Sequence, residues 1–303
     1  MDLLPMDKRT LEELKKKIVQ LPPLSNVVTR LLSLNSDSDT FFEDVMRLAQ
    51  EDPTFALRII KLSNSAINTP VDQIIGIREA VVRIGTNQIA GLIASMAMTQ
   101  VFIPTTKAEK DLWKHSIQVA VISRVLACAT TAFSVNPEQA YLCGLIHDVG
   151  KFILSPNEST KQNNSVEKKD GSAKKYILAE KDSKGFNHAI LGMYICKKWQ
   201  MPDTLCNVAR YHHANELPKE IENDVMCNHL IRLIQLADII SFYLNLNPQV
   251  LDFELENIEE CLEENCIKPF PGKTPLRADE LATLIGPMLL EANMAIKSLG
   301  ISD

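Results

Sequence analysis

Pro137-Glu138-Gln139-Ala140-Tyr141-Leu142-Cys143-Gly144-Leu145-Ile146-His147-Asp148-Val149-Gly150-Lys151 is the stretch on which the fold turns. A proline opens it, and Ala140, Leu142, Leu145 and Ile146 repeat at helical spacing. That pattern predicts a helix running from Pro137 to Leu154. A bare His147-Asp148 pair stands near the end of its apolar part. An imidazole beside a carboxylate can bind one divalent ion, or join two through the two carboxylate oxygens.

Helical spacing extends outward on both sides. Towards the N-terminus, Leu11, Leu14, Ile18 and Leu21 form a stripe that stops at Pro22-Pro23, and Leu24, Val27, Val28, Leu31 and Leu32 continue it. Thr40-Phe41-Phe42-Glu43 has capping-box spacing, and Asp52-Pro53 pairs an N-cap with a first-position proline. A helix through Ile77, Val81 and Ile84 closes at Gly85, and Thr86 caps another through Ile89 to Val101. Ile103-Pro104-Thr105 reads as a connector. Beyond it, stripes run through Trp113–Ala132, His188–Trp199, Pro202–His213 and Asp224–Leu244. Residues 155–175 lack periodicity and are rich in Ser, Asn and Lys, the signature of a mobile surface loop. The last helix carries Leu281, Leu284, Ile285, Met288, Leu289, Ala292 and Ile296 on one face. No segment alternates as a strand would. The expected class is all-α: an N-terminal helical subdomain (1–105), a second helical domain (106–245), and C-terminal helices (246–303) docked on the body.

Composition narrows the function. Of 303 residues, 46% are hydrophobic and 23% charged, a globular mix. The net charge of −6 argues against a general nucleic-acid or membrane-surface binder. The start, MDLLPMDKRT, lacks a charged-then-apolar leader, and the longest apolar run, Ile89–Met98, falls short of the ~20 residues a bilayer needs. Seven scattered cysteines without a CxxC read as reduced, mostly buried thiols. A cytoplasmic location is expected, with neither a nucleic-acid nor a membrane partner.

Titratable residues cluster by order. Asp111 and His115 are four apart and share a helix face. His188 is followed four residues on by Gly192, which lets another helix approach. His212-His213 is a tandem pair. Asp238 sits on an otherwise apolar helix face, costly unless it is paired or metal-bound. Taken singly, a histidine on an amphipathic helix is more often a hydrogen-bonded core or surface residue than a ligand. Five of six histidines in this order make a stronger case; His229 has no partner in the set and reads as structural or surface. Cys261 and Cys266 read as thiols, and the acidic run Glu254–Glu264 as a solvated face.

These residues resemble a known family. The second half is similar to the HD superfamily of metal-dependent phosphohydrolases, with Gly144–Lys151 close to its name-giving string. Leu21-Pro22-Pro23-Leu24, Glu51-Asp52-Pro53, Leu62-Ser63-Asn64-Ser65, Ala80–Gly85 and Trp113-Lys114-His115-Ser116 resemble the HDOD branch, over about residues 15–240. That resemblance implies a bacterial signalling and regulatory module acting through protein partners, in a family most of whose members are thought to have lost the HD catalytic residues. The resemblance to the HD-GYP branch implies metal ligands at His115, His147, Asp148, His188, His212, His213, Asp238 and Asp111, with Lys151 contacting phosphate. The chain departs from both branches. It keeps the whole ligand set, yet after the histidine pair it reads Ala214-Asn215-Glu216-Leu217-Pro218 where the HD-GYP branch has Gly-Tyr-Pro.

Neutral imidazoles and carboxylates favour iron, manganese, zinc or nickel over calcium. The expected arrangement is dinuclear and bridged by Asp148. His115, His147 and Asp238 would hold one ion, and His188, His212 and His213 the other. Such ions lower the pKa of a water towards ~7, and Lys151 could clamp a phosphate oxygen. Lys151 and Asp148 are thus the expected catalytic residues. The regulatory reading stands first. The alternative is a metal-dependent phosphohydrolase or phosphodiesterase acting on a nucleotide or cyclic dinucleotide. A DNA-reading helix at Ile89–Met98 ranks last, because it carries no Arg or Lys.

Overall fold

The computed structural model describes residues 40–51, 53–64, 74–85, 102–154, 187–270 and 274–301, with Glu12, Lys16, 18–21, Ile89, Gly91 and Ser95 in addition. Among the described residues there are helices and turns and no strand, as the spacing predicts. The expected helix at Leu24–Leu32, most of that at Thr86–Val101, and the 155–175 loop lie outside them.

The N-terminal part contains α1 (Phe41–Glu51), α2 (Pro53–Ser63) and α3 (Ile77–Ile84). Helix α2 begins on the proline that the Asp52-Pro53 signal marks. Asn64 then ties its end to the approach of α3: the amide donates to the carbonyls of Ile60 (2.9 Å) and Ile74 (2.7 Å), and its oxygen accepts from the Ile74 N–H at 2.9 Å. Gly85 closes α3 with φ of 86°, a region open to glycine, and its N–H bonds Val81 O. Ile89, Gly91 and Ser95 are buried, so these positions of the would-be reading helix belong to the core.

The second part starts with α4 (Lys107–Ala129) behind a capping box: Thr106 Oγ1 accepts from Glu109 N, and Glu109 Oε2 accepts from Thr106 N. Trp113 donates its indole N–H to Phe102 O at 2.9 Å, seating the connector on this half. Helix α5 (Pro137–Ile146) is capped by Asn136. It ends at Ile146, not at Leu154. His147 and Asp148 form a turn, and Val149–Phe152 is a short 3-10 helix. In a continuous α-helix, neighbouring side chains would diverge by about 100°; the break lets His147 and Asp148 face the same interior. Then follow α6 (His188–Lys198), α7 (Asp203–Tyr211), α8 (Lys219–Asn223) and α9 (Val225–Leu246). The tail adds a 3-10 turn (Pro248–Asp252), α10 (Leu255–Leu262), a π-helical turn (Glu263–Ile267) and α11 (Ala278–Ser298).

One apolar cluster runs through all three segments, from Ile18 to Ile301. Helix α9 is long and apolar enough to cross a membrane by length and composition alone, but 56% of that window is buried inside the fold. Helix α11 buries Leu281, Ile285, Met288, Ala292 and Ile296, the predicted face, and packs on α4 and α10. Gly144 sets the distance between α4 and α5: a Cβ there would stand 2.7 Å from the Ala120 Cα, so any side chain would push apart the two helices that carry His115 and His147. Lys198, at the end of α6, donates to the carbonyls of Ile18 (2.6 Å), Val19 (2.6 Å) and Leu21 (3.0 Å), closing the helical turn at residues 18–20. Of the seven cysteines five are buried and all are free.

One buried acid outside the histidine cluster gives a stability prediction. Both carboxylate oxygens of Glu138 are buried without a hydrogen-bond partner. Burial pushes the group up from 4.5 to about 7, with Arg124 opposing. The folded state therefore holds this proton more tightly than the unfolded chain, and stability falls as pH rises from about 4.5 through 7. Glu138→Gln removes the cost. It should leave stability unchanged near pH 4.5 and raise it by up to about 3 kcal/mol above pH 7. Urea melts of both proteins at pH 5 and pH 8 measure the difference.

Candidate metal centre

Each ligand candidate enters from a different element. His115 comes from α4, the His147-Asp148 pair from the turn after α5, His188 from the start of α6, the His212-His213 pair from the turn after α7, and Asp238 from the middle of α9. They converge as two groups: Asp148, His188, His212 and His213, and His115, His147 and Asp238, each with ligand atoms within 4.8 Å of one another. Asp148 joins them. Its Oδ1 lies 3.3 Å from His188 Nε2 and 3.5 Å from His212 Nε2; its Oδ2 lies 3.3 Å from His147 Nε2 and 3.6 Å from His115 Nε2. Asp238 closes the second group, with Oδ1 3.1 Å from His115 Nε2 and 3.8 Å from His147 Nε2, and its Oδ2 3.8 Å from His213 Nδ1.

Backbone and hydroxyl partners orient the rings. His147 Nδ1 donates to Gly144 O at 2.7 Å, and His212 Nδ1 to Ala209 O at 3.0 Å. With the proton on Nδ1, each Nε2 turns a lone pair inward, the tautomer a metal needs. His115 Nδ1 lies 3.1 Å from Ser241 Oγ. Three buried atoms of the cluster, His147 Nε2, Asp148 Oδ1 and His213 Nε2, have no hydrogen-bond partner. Orphaned lone pairs at the meeting point of imidazoles and carboxylates are expensive in a dry interior and are satisfied by a cation. The residues present thus fit a divalent transition metal better than they fit a polar core.

The electrostatics agree. Burial opposes charge on Asp148, but Lys151, His147 and His188 hold its carboxyl well below the usual range. Asp238 is likewise held down against burial, chiefly by His115. For His115 burial would lower the imidazole, yet hydrogen bonds to Asp148 and Asp238 outweigh it and carry it up to about 9. Burial pushes His212 down to about 4 and His213 well below its ordinary value. The centre holds two carboxylate charges and several neutral, inward-facing nitrogens. His147, His188 and Asp148 are almost fully buried, whereas the side chains of His115, Asp238 and Lys151 are 18%, 14% and 22% exposed and mark the open side.

Lys151 reaches the centre, its Nζ 2.7 Å from Asp148 Oδ2. It does so from the 3-10 turn, three residues beyond its partner, not from a continuous helix. Gly192 allows the expected close approach: a Cβ there would lie 3.3 Å from Ala209 Cβ. Asp111 is the expected ligand that the fold does not bring in. Its side chain is 54% exposed, 4.0 Å from Lys114 Nζ, and belongs to neither group. A separation of four residues keeps it near the His115 face but moves it about 6 Å along the helix, past the edge of the cluster. His229 is structural, its ring stacked on Phe133 at 4.6 Å. The sequence reading missed Ser241, Gln235 and Arg232. The signal available was their steps of three along α9, Gln235 and Ser241 lying three residues from Asp238 and Arg232 six.

The family model of the HDOD domain matches residues 21–215. The chain belongs to the HDOD family. An uncharacterised protein of Treponema pallidum (strain Nichols) is 24% identical over 200 residues, covering 65% of this chain and 38% of that protein. Ribonuclease Y of a Nitratiruptor species is 27% identical over 113 residues, 37% of this chain and 16% of the enzyme. The chain thus spans well under half the length of these relatives. An HDOD domain protein of unknown function from Geobacter sulfurreducens superposes with a TM-score of 0.69 at 22% identity, covering 96% of this chain and 97% of that one. A protein of Shewanella amazonensis, provisionally named a metal-dependent phosphohydrolase, gives 0.57 at 20%, covering 95% and 96%. At such identities these likenesses speak for the HDOD helical fold. The family match contains every histidine of the centre and ends before Asp238.

Proposed function

We propose that this HDOD protein carries a dinuclear divalent-metal centre bridged by Asp148 and uses it to hydrolyse a phosphate ester of the nucleotide or cyclic-dinucleotide class. The supporting observation is the disposition of Asp148: two carboxylate oxygens, each turned to a different set of imidazoles. His115, His147 and Asp238 would hold one ion; His188, His212 and His213 would hold the other. Iron, manganese, zinc or nickel suit such ligands. When bound, the ions supply Lewis acidity towards a phosphoryl oxygen and acidify water. The protein residues bind and orient: Lys151, on the open side, offers an ammonium for a phosphate oxygen, and the Nδ1 bonds of His147 and His212 keep their rings aimed.

A second reading has its own support. Lys151 is drawn onto Asp148, and no Gly-Tyr-Pro segment follows the histidine pair. In that reading the metal is a folding clip inside a regulatory module that works through a signalling protein partner. One experiment separates the two. Metal content is measured on protein purified without chelator. The protein is then screened with manganese against cyclic dinucleotides, nucleotides, a generic phosphodiester and, in view of the ribonuclease relative, single-stranded RNA. Turnover that His147→Ala reduces by more than about 100-fold, beyond what loss of an outer partner would cost, supports the hydrolase. A metal-loaded protein without turnover supports the clip. Metal content unaltered by His147→Ala ends both.

A further inference from the structure

The tandem histidines pose a geometric problem. Side chains of adjacent residues diverge on a helix, yet the rings of His212 and His213 lie 4.0 Å apart, centroid to centroid, beside one group of ligands. The chain solves this by ending α7 at Tyr211, so both histidines sit in the turn that follows. Ending a helix releases carbonyls that need donors. Within the turn the Ala214 N–H donates to Tyr211 O at 2.9 Å, and further donors come from α9. Gln235 Nε2 donates to Tyr211 O (3.3 Å) and Ala214 O (2.8 Å), the carbonyls that flank the pair on either side. Arg232 donates to Ala214 O (3.5 Å) and Asn215 O (3.0 Å), and its Nη1 donates to Gln235 Oε1 at 3.0 Å. The guanidinium cannot accept and the carbonyls cannot donate, so only one orientation of the Gln235 amide satisfies all of them.

Gln235 is 5% exposed in a helix that is otherwise mostly apolar. It belongs to a pattern. Arg232, Gln235, Asp238 and Ser241 follow one another at intervals of three, each beside the next on a row that winds partway round α9. Arg232 and Gln235 hold the His212-His213 turn; Asp238 faces both His115 and His213; Ser241 bonds His115. All four lie beyond residue 215, where the family match ends.

We propose that Gln235, locked by Arg232, is the positioning residue that aims His212 and His213 at a common ion. This rests on the metal-centre reading above. The test is a cobalt(II) titration, followed by the visible bands of the bound ion and by metal analysis, on the full chain. Wild type should bind two ions. Gln235→Leu should keep the ion held by His115, His147 and Asp238 and bind the other about 10–100-fold more weakly, the usual effect of removing a ligand's supporting bond. The retained site is the internal control, because a general loss of fold would remove both. Gln235→Glu keeps the acceptor for Arg232 but has no donor for the carbonyls, so it should behave like Gln235→Leu. A wild-type titration in either variant overturns the proposal, as does equal weakening of both ions in a protein with an unchanged melting curve. Should Gln235→Leu not fold, Arg232→Met, on the rim, should give a smaller loss confined to the same ion; a wild-type curve there also overturns it. Failure of wild type to bind cobalt would instead strike the metal-centre reading, and the positioning role with it.

Discussion

Asp148→Ala should empty both halves of the centre at once. Asp148 faces two imidazoles of each group through separate oxygens, whereas Asp238 reaches across only to His213, at 3.8 Å. Removal of Asp148 should therefore cost each ion more than the roughly 10–100-fold attached to loss of an outer partner, and metal per chain should fall from about two to near zero on the dinuclear reading. His188→Ala is the contrast: it touches one group and should weaken one ion. The Asp148 substitution also has an effect that needs no metal. Hydrogen bonds to Asp148 and Asp238 lift His115 to about 9. With Asp148 gone, its titration should move down towards the ordinary histidine value, which proton NMR of the ring can follow. An Asp148→Ala protein that retains one tightly held ion per chain would rule out the bridging role.

Gly150→Ala should be the most damaging glycine-to-alanine change among the described residues. A Cβ at this position would stand 2.0 Å from His188 O and 2.8 Å from Gly192 N. Both are backbone atoms, so relief requires moving the 3-10 turn away from α6. The turn follows Asp148 directly and α6 begins with His188, so the same movement separates two ligand candidates 3.3 Å apart. Overpacking typically costs 1–3 kcal/mol, and this contact is beyond the usual range. A loss of about 3 kcal/mol or more is expected, together with weaker metal binding. Gly286→Ala is the control. It lies within α11, its Cβ would meet nothing within 4 Å, and helix propensity favours alanine by up to about 1 kcal/mol. Denaturant melts of the two variants should move in opposite directions; equal melts would contradict the packing argument.

Most of the candidate cluster stood out in the chain because its side chains are chemically rare there. Five of six histidines and a carboxylate on an apolar helix stand out whatever the fold. The supporting residues do not stand out. Ser241 and Gln235 are common polar residues, and their role appears only when His115 and the Tyr211–Asn215 turn are brought against α9. Asp111 shows the opposite error. Helical spacing put it on the right face, but spacing says nothing about where along α4 the cluster ends, and the acid turned out half exposed. The end of α5 was also misjudged. Apolar periodicity continues past Ile146, and nothing local announces that Gly150 must press against the His188 carbonyl.

Periodicity and composition were enough for a helical protein with a buried run of imidazoles and acids, since these depend on side-chain chemistry along the chain. Which oxygen of Asp148 meets which ring, why the α5 helix breaks at His147, and how α9 braces the histidine turn were decided by packing. Those contacts join residues tens to more than a hundred positions apart, and their geometry exists only once the intervening helices have chosen their crossing angles and approach distances.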